Sequence, residues 1–254
     1  MRTLFMLLLL FPLVLVGCSS DSHIEGKTEL HILAAASLSP VLTEMKEEFE
    51  ENYPHIELVF QFASSGNLRE QITRGAPADV FLSASAFDVE ILHQNSHVYD
   101  SKDWLVNRLV VVTRDDRFTM DDLSSLAVEQ ITSITIGNPD TVPAGHYALE
   151  ALLEYDVWTE VEEHVVYASD VRQALTYVET GNADAGIVYE TDAMRSDQIK
   201  KQFTVDTSLH EPIIYPAALL EGTRYKEEAE TFIDWLFSVE SKEKFESYGF
   251  QTIE

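Results

Sequence analysis

From Thr28 onward, short runs rich in β-branched and aromatic residues alternate with stretches whose apolar residues recur at helical spacing, which commits the chain to an α/β fold. The strand candidates are 30–34, 56–62, 80–83, 109–113, 134–136, 165–167, 185–189 and 213–220. Several are apolar throughout, as expected of strands covered on both faces. Between them, Val41, Leu42, Met45 and Phe49 share one helical face, and Val171, Ala174, Leu175 and Val178 share another that Gly181 ends. Mainly parallel sheets with crossover helices accommodate this order most simply. In such sheets ligands sit outside the carboxyl ends of the strands, where the chain turns into helices.

Four of these turns carry helix-start chemistry. In "ILAAASLSP", Ser37 or Ser39 is positioned to cap a helix beginning near Pro40, and proline suits the first helical turn because it has no amide to leave unpaired. "FQFASSGNLREQI" runs from a strand through Ser64, Ser65 and Gly66 into a helix carrying Leu68 and Ile72. In "GNPDTVPAGHYALEAL", Pro143, Ala144 and Gly145 enter a helix with residues small enough for a ligand to approach the backbone. In "ASDVRQAL", Asp170 and Gln173 have capping-box spacing. A helix N-terminus offers unpaired N–H groups and about half a positive charge, so it can hold an anion without Lys or Arg. Taken singly, each serine still reads as an ordinary cap, and Tyr189, at the end of an apolar run, as a core tyrosine.

The first residues have another character. Arg2 precedes an apolar segment over 4–16, and Leu15-Val16-Gly17-Cys18 follows directly. Residues 1–17 read as an export signal too short to span a bilayer comfortably. The four residues resemble a bacterial lipoprotein box that would make Cys18 a lipidated first residue, and the polar 18–27 would then be a tether. Cys18 is the only cysteine, so an intramolecular disulfide and a cysteine metal cluster are excluded. Seventeen Lys and Arg stand against 44 Asp and Glu, a net charge of −27, which argues against nucleic-acid binding through a basic patch.

Together, "ILAAASLSPVL", "FASSGNLREQI", "GAPADVFLSAS", "NPDTVPAGHYALEAL", "ASDVRQALTYVE", "GIVYETDA" and "YGFQTIE" resemble the substrate-binding proteins of bacterial molybdate ABC transporters, over residues 28–254. The resemblance implies a two-lobe periplasmic-binding-protein fold, with 28–108 and 214–254 in one lobe and 109–213 in the other, and chain crossings near 109–112 and 213–218. It implies molybdate or tungstate as ligand, no cofactor, a membrane permease as partner and a monomer attached to the membrane only by its lipid. Carried over by motif, the ligand-binding residues are Ser37, Ser65, Ala144, Val171 and Tyr189. All supply donors. Gly66-Asn67 departs from the serine and threonine of relatives, and His146 has no role in the pattern.

The acidic surface does not forbid such a ligand. A unit charge about 20 Å from a dianion in water contributes roughly 0.4 kcal/mol before salt screening, against roughly 1.5–3 kcal/mol for each charge-assisted hydrogen bond.

A hydrolase is the rival from another class, but G-x-S-x-G, H-E-x-x-H and G-x-G-x-x-G are absent. Gly181 and Gly186 have P-loop spacing with Ile187 in place of lysine, and His210-Glu211-Pro212 lacks a second histidine. His93 and His97 could meet a metal only on a shared helix, and they read as surface residues. Asp79 and the pair Asp115-Asp116 read as turn or capping groups. A binding protein for sulfate, phosphate or an organic acid would keep the turns and change the pocket or add an arginine. Arg172 is the nearest candidate for that, but is expected to point outward among acidic residues.

Overall fold

The computed structural model describes residues 26–114 and 118–253, so the export segment, Cys18 and Asp115-Asp116 lie outside the described residues. The chain forms two sheets. The first contains β1 (Thr28–Ala35), β2 (Ile56–Ala63), β3 (Val80–Leu82), β4 (Val98–Val106), β10 (Ile214–Leu220) and β11 (Gln251–Thr252), in the order β2-β1-β3-β10-β4-β11. The second contains β5 (Leu109–Thr113), β6 (Ile134–Gly137), β7 (Val165–Ala168), β8 (Ala185–Tyr189) and β9 (Lys200–Thr204), in the order β7-β6-β8-β5-β9. The chain passes from one sheet to the other at Asn107-Arg108 and returns between Thr204 and Ile214.

The parallel expectation holds only in one half of each sheet, from the edge strands β2 and β7 inward. β1 pairs parallel with β2 and β3, and β6 with β7 and β8, because helices α1 (Ser39–Asn52), α2 (Ser65–Thr73), α4 (Pro143–Glu154) and α6 (Val171–Glu179) make the crossovers. β4, β5, β9 and β10 pair antiparallel where the chain crosses between the sheets, and the short β11, reached through two helices, adds antiparallel to β4. Both sheets are therefore mixed. β4, β9 and β11 escaped the sequence reading: in "VYDSKDWLV" the polar run 100–103 interrupts the apolar pattern, "KKQFT" is a largely polar edge strand, and β11 is two residues long.

The amphipathic helices pack as their spacing requires. Val41, Leu42, Met45 and Phe49 of α1 are buried, as are Val171, Ala174, Leu175 and Val178 of α6. Gly181 follows α6 with φ +74, a conformation that suits glycine. Aromatic contacts fix helices to the first sheet: Phe245 of α9 (Val239–Ser247) meets Trp104 edge-on with ring centroids 4.4 Å apart. Asp79 is a buried turn group, accepting from His31 N at 2.8 Å and from Thr223 Oγ1 at 2.6 Å. His93 lies on α3 (Ala86–Gln94) and faces Ser101 Oγ at 3.3 Å, whereas His97 lies beyond the helix end, so the two do not share a helical face.

Gly145, read from sequence as leaving space for a ligand, is small for another reason. A Cβ there would lie 1.9 Å from the Gly137 carbonyl oxygen, so α4 packs its first turn directly on the end of β6. Gly145→Ala is expected to lower stability by about 1–3 kcal/mol through overpacking, measured by denaturant unfolding. A neutral substitution would contradict this packing.

Candidate functional site

The carboxyl ends of the parallel strands meet between the two sheets. Ala35, Ala36, Ser37, Ser64, Ser65 and Ala84 follow β1, β2 and β3, while Val142, Pro143, Ala144, Asp170, Val171 and Tyr189 follow or end β6, β7 and β8. They line one small cavity. Ser37, Ser65, Ala144, Val171 and Tyr189 all line it. Ser64 lines it as well, although sequence reasoning selected only its neighbour.

The serines do not cap helices in the expected way. Ser37 sits in a single 3₁₀ turn, Ala36–Leu38, and α1 begins at Ser39 after Leu38, with no side-chain cap. Ser64 occupies the N-cap position of α2, but its hydroxyl makes no bond to the helix. The fourth turn does match its sequence signal: Asp170 Oδ1 accepts from Gln173 N at 2.9 Å, and Gln173 Oε1 reaches back to Ser169 N at 2.8 Å. Asp170 thus lends its carboxylate to α6, although it borders the cavity.

The hydroxyls freed from capping face inward with protons to give. Ser65 Oγ accepts from Ala84 N at 2.9 Å, which leaves its own hydrogen for the cavity. Ser64 Oγ and Tyr189 Oη are buried without a hydrogen-bond partner. Burial pushes the Tyr189 phenol well above its usual range, so it remains a donor. Ser65, Ala144 and Val171 lie in the first turns of α2, α4 and α6, where amides have no carbonyl to bond within the helix. Among the described residues no lysine or arginine lines the cavity. Its wall supplies neutral donors and helix N-termini, a combination suited to a small anion.

The two halves touch beside the cavity. Gly66 N–H donates to the Thr141 carbonyl at 3.0 Å, and a Cβ on Gly66 would come within 2.6 Å of that oxygen. This explains the departure at Gly66: serine or threonine would not fit against the facing loop. On another rim the Arg195 guanidinium lies over the Tyr248 ring, 4.4 Å from its centroid. His146 is exposed on α4 and pairs with Glu150 at 3.2 Å, one turn away. Arg172 projects from the exposed face of α6, as expected, and lies outside the cavity lining.

Behind Tyr189, Asp192 is buried in the short helix α7 (Glu190–Ala193), and its Oδ2 has no partner. Burial pushes its carboxyl up to about 7, opposed by Arg172 and reinforced by Asp170. Near neutral pH a large fraction therefore carries no charge, which limits negative potential beside the cavity.

Two sheet-and-helix lobes joined by two crossings, with a donor-lined cavity between them, define a two-lobe solute-binding protein of the periplasmic-binding-protein fold. The chain belongs to the bacterial extracellular solute-binding protein family, whose pattern matches residues 30–251. It is 38% identical to YvgL of Bacillus subtilis, provisionally named an ABC transporter substrate-binding lipoprotein, over 94% of this chain and 93% of that one. It is 33% identical to the molybdate-binding protein ModA of Haemophilus influenzae, over 89% of this chain and 91% of that one. The fold matches the periplasmic molybdate-binding protein of Azotobacter vinelandii with a TM-score of 0.81 at 23% identity, covering 89% of this chain and all (100%) of that one.

Asp192 gives a pH-dependent expectation. Its folded pKa lies above the unfolded value, so the native state binds more protons between about pH 4 and 7 and this group's contribution falls as pH rises through that window. Asp192→Asn should gain stability relative to the parent as pH rises, by on the order of 2 kcal/mol at pH 8, followed by thermal unfolding across pH. A pH-independent difference would contradict the assignment.

Proposed function

We propose that this protein captures molybdate, with tungstate as a second guest of the same shape, and delivers it to the permease of a bacterial ABC transporter. The observation that carries this reading is the convergence of Ser37, Ser65, Ala144, Val171 and Tyr189 on one small cavity, where the bordering Asp170 carboxylate is already bonded to α6. The identities of the molybdate-binding relatives support the same guest.

In this reading the ligand-binding residues are Ser37 and Ser65 through hydroxyl and amide, Ala144 and Val171 through amides, and Tyr189 through its phenol. Each donor contributes roughly 1.5–3 kcal/mol to a dianion, and none needs to change protonation. Water exclusion between the lobes strengthens every one of these bonds. The proposed lobes are 28–108 with 214–254, and 109–213, closing on the ion and presenting their joined surface to the permease. The protein acts outside the cytoplasm as a monomer held to the membrane by a lipid on Cys18, without a further cofactor. Among the described residues no helix is long and apolar enough to cross a membrane.

Selectivity follows from donor placement and cavity size. Isothermal titration of the purified protein should show tight molybdate and tungstate binding, with sulfate and phosphate weaker by roughly a hundredfold or more. Ser37→Ala and Tyr189→Phe should each weaken molybdate by about ten- to a hundredfold. Equal affinity for sulfate and molybdate would overturn the selectivity, and unchanged binding in both variants would overturn the site.

A further inference from the structure

Ser37 differs from the other cavity hydroxyls in that its oxygen is tied to a buried hydrogen-bond chain leading to the first lobe crossing. Ser37 Oγ lies 3.0 Å from Tyr215 Oη, and Tyr215 Oη lies 3.1 Å from Asn107 Nδ2. Asn107 Nδ2 also reaches Thr191 Oγ1 at 2.9 Å. All four residues are buried. Asn107 stands where the chain leaves the first sheet, Thr191 belongs to α7 of the second lobe, and Tyr215 lies on β10 as the chain returns.

The direction of the Asn107 bonds is fixed by chemistry, and that of the Tyr215–Ser37 bond follows from pairing every buried hydrogen. Arg108 N donates to Asn107 Oδ1 at 2.8 Å, and a backbone N–H can only donate, so the amide oxygen must be on that side. The amide NH₂ therefore faces Tyr215 and Thr191 and spends its two hydrogens on them. Tyr215 Oη, having accepted one, could accept a second from Ser37 Oγ, but only donation to Ser37 Oγ gives the buried Tyr215 hydrogen an acceptor among the described contacts. Ser37, accepting from Tyr215, keeps its own hydrogen for the cavity. Burial holds the Tyr215 phenol far above its usual range, so its proton is always present.

We propose that Asn107 and Tyr215 are positioning residues that set the polarity of the Ser37 hydroxyl, holding it as a donor toward a bound oxyanion. An unconstrained serine can present either a hydrogen or a lone pair to a ligand, and a lone pair facing an anion repels it. The relay removes that choice before the ligand arrives. This inference rests on the reading of Ser37 as a ligand-binding residue.

The test is a reversal of polarity. Asn107→Asp keeps the acceptor for Arg108 N but replaces the NH₂ with an oxygen, to which Tyr215 and Thr191 would donate; Tyr215 would then accept from Ser37, and Ser37 would turn a lone pair inward. Molybdate titration calorimetry at about pH 8.5, where the new carboxylate ionises, should show about ten- to a hundredfold weaker binding. Tyr215→Phe, which only frees Ser37 to rotate, should cost severalfold. In a Ser37→Ala background both substitutions should have no further effect beyond about twofold, because there is no hydroxyl left to orient.

Simple repulsion by a buried carboxylate, or loosening of the crossing, would persist in the Ser37→Ala background and would overturn the relay. So would unchanged affinity in both variants when Ser37→Ala itself weakens binding. If Ser37→Ala leaves molybdate affinity untouched, it is the site reading that fails. Should Asn107→Asp not fold by circular dichroism, the Tyr215→Phe and Ser37→Ala cycle decides the question alone, since an additive pair overturns the relay and a non-additive pair supports it.

Discussion

A buried hydroxyl without an acceptor is costly, on the order of 1–3 kcal/mol, and this protein holds two of them, Ser64 Oγ and Tyr189 Oη, at one cavity. Folded proteins satisfy nearly all such groups; Thr135 Oγ1 is unpartnered elsewhere, but among the described residues only this cavity brings two such hydroxyls together, which suits a guest that accepts. Ser65 points the same way, since its oxygen is already occupied by Ala84 N. The absence of cations from the wall matters equally. Donors alone can distinguish guests by geometry, whereas an arginine would attract any anion that reached it.

The fold exists, in this view, to bring strand ends from two lobes within reach of one small ion. Parallel strands supply the turns and helix N-termini, and the antiparallel strands at the crossings let the chain visit both lobes. Contact between lobes is made by backbone as well as by side chains. The Gly66–Thr141 bond leaves no space for a side chain at Gly66, so the identity of that residue is tied to how closely the halves approach. The acidic surface remains compatible with this arrangement because charge at a distance is screened, while the donors act at contact.

Much of this was legible in the sequence because its causes are local. The alternation of apolar runs with amphipathic faces gave the α/β class, and the turn residues located the strand ends. The resemblance to molybdate-binding proteins then supplied five residues, all of which line the cavity. What stayed hidden depends on contacts between distant segments. Nothing near Asn107 announces that it faces Tyr215, 108 residues away. Likewise Gly145 is small because of Gly137, and the serines that looked like caps are released from capping by the shape of their turns. Polar edge strands such as β9 lack the apolar signature on which strand recognition relies.

The most direct test of the central claim is anomalous diffraction at the molybdenum edge from crystals grown with molybdate. The account requires a single strong peak between Ser37, Ser65, Ala144, Val171 and Tyr189, with the ion's oxygens within about 3 Å of their hydroxyl or amide donors. A well-ordered interlobe cavity with no peak there, or a peak only elsewhere on the molecule, would contradict it.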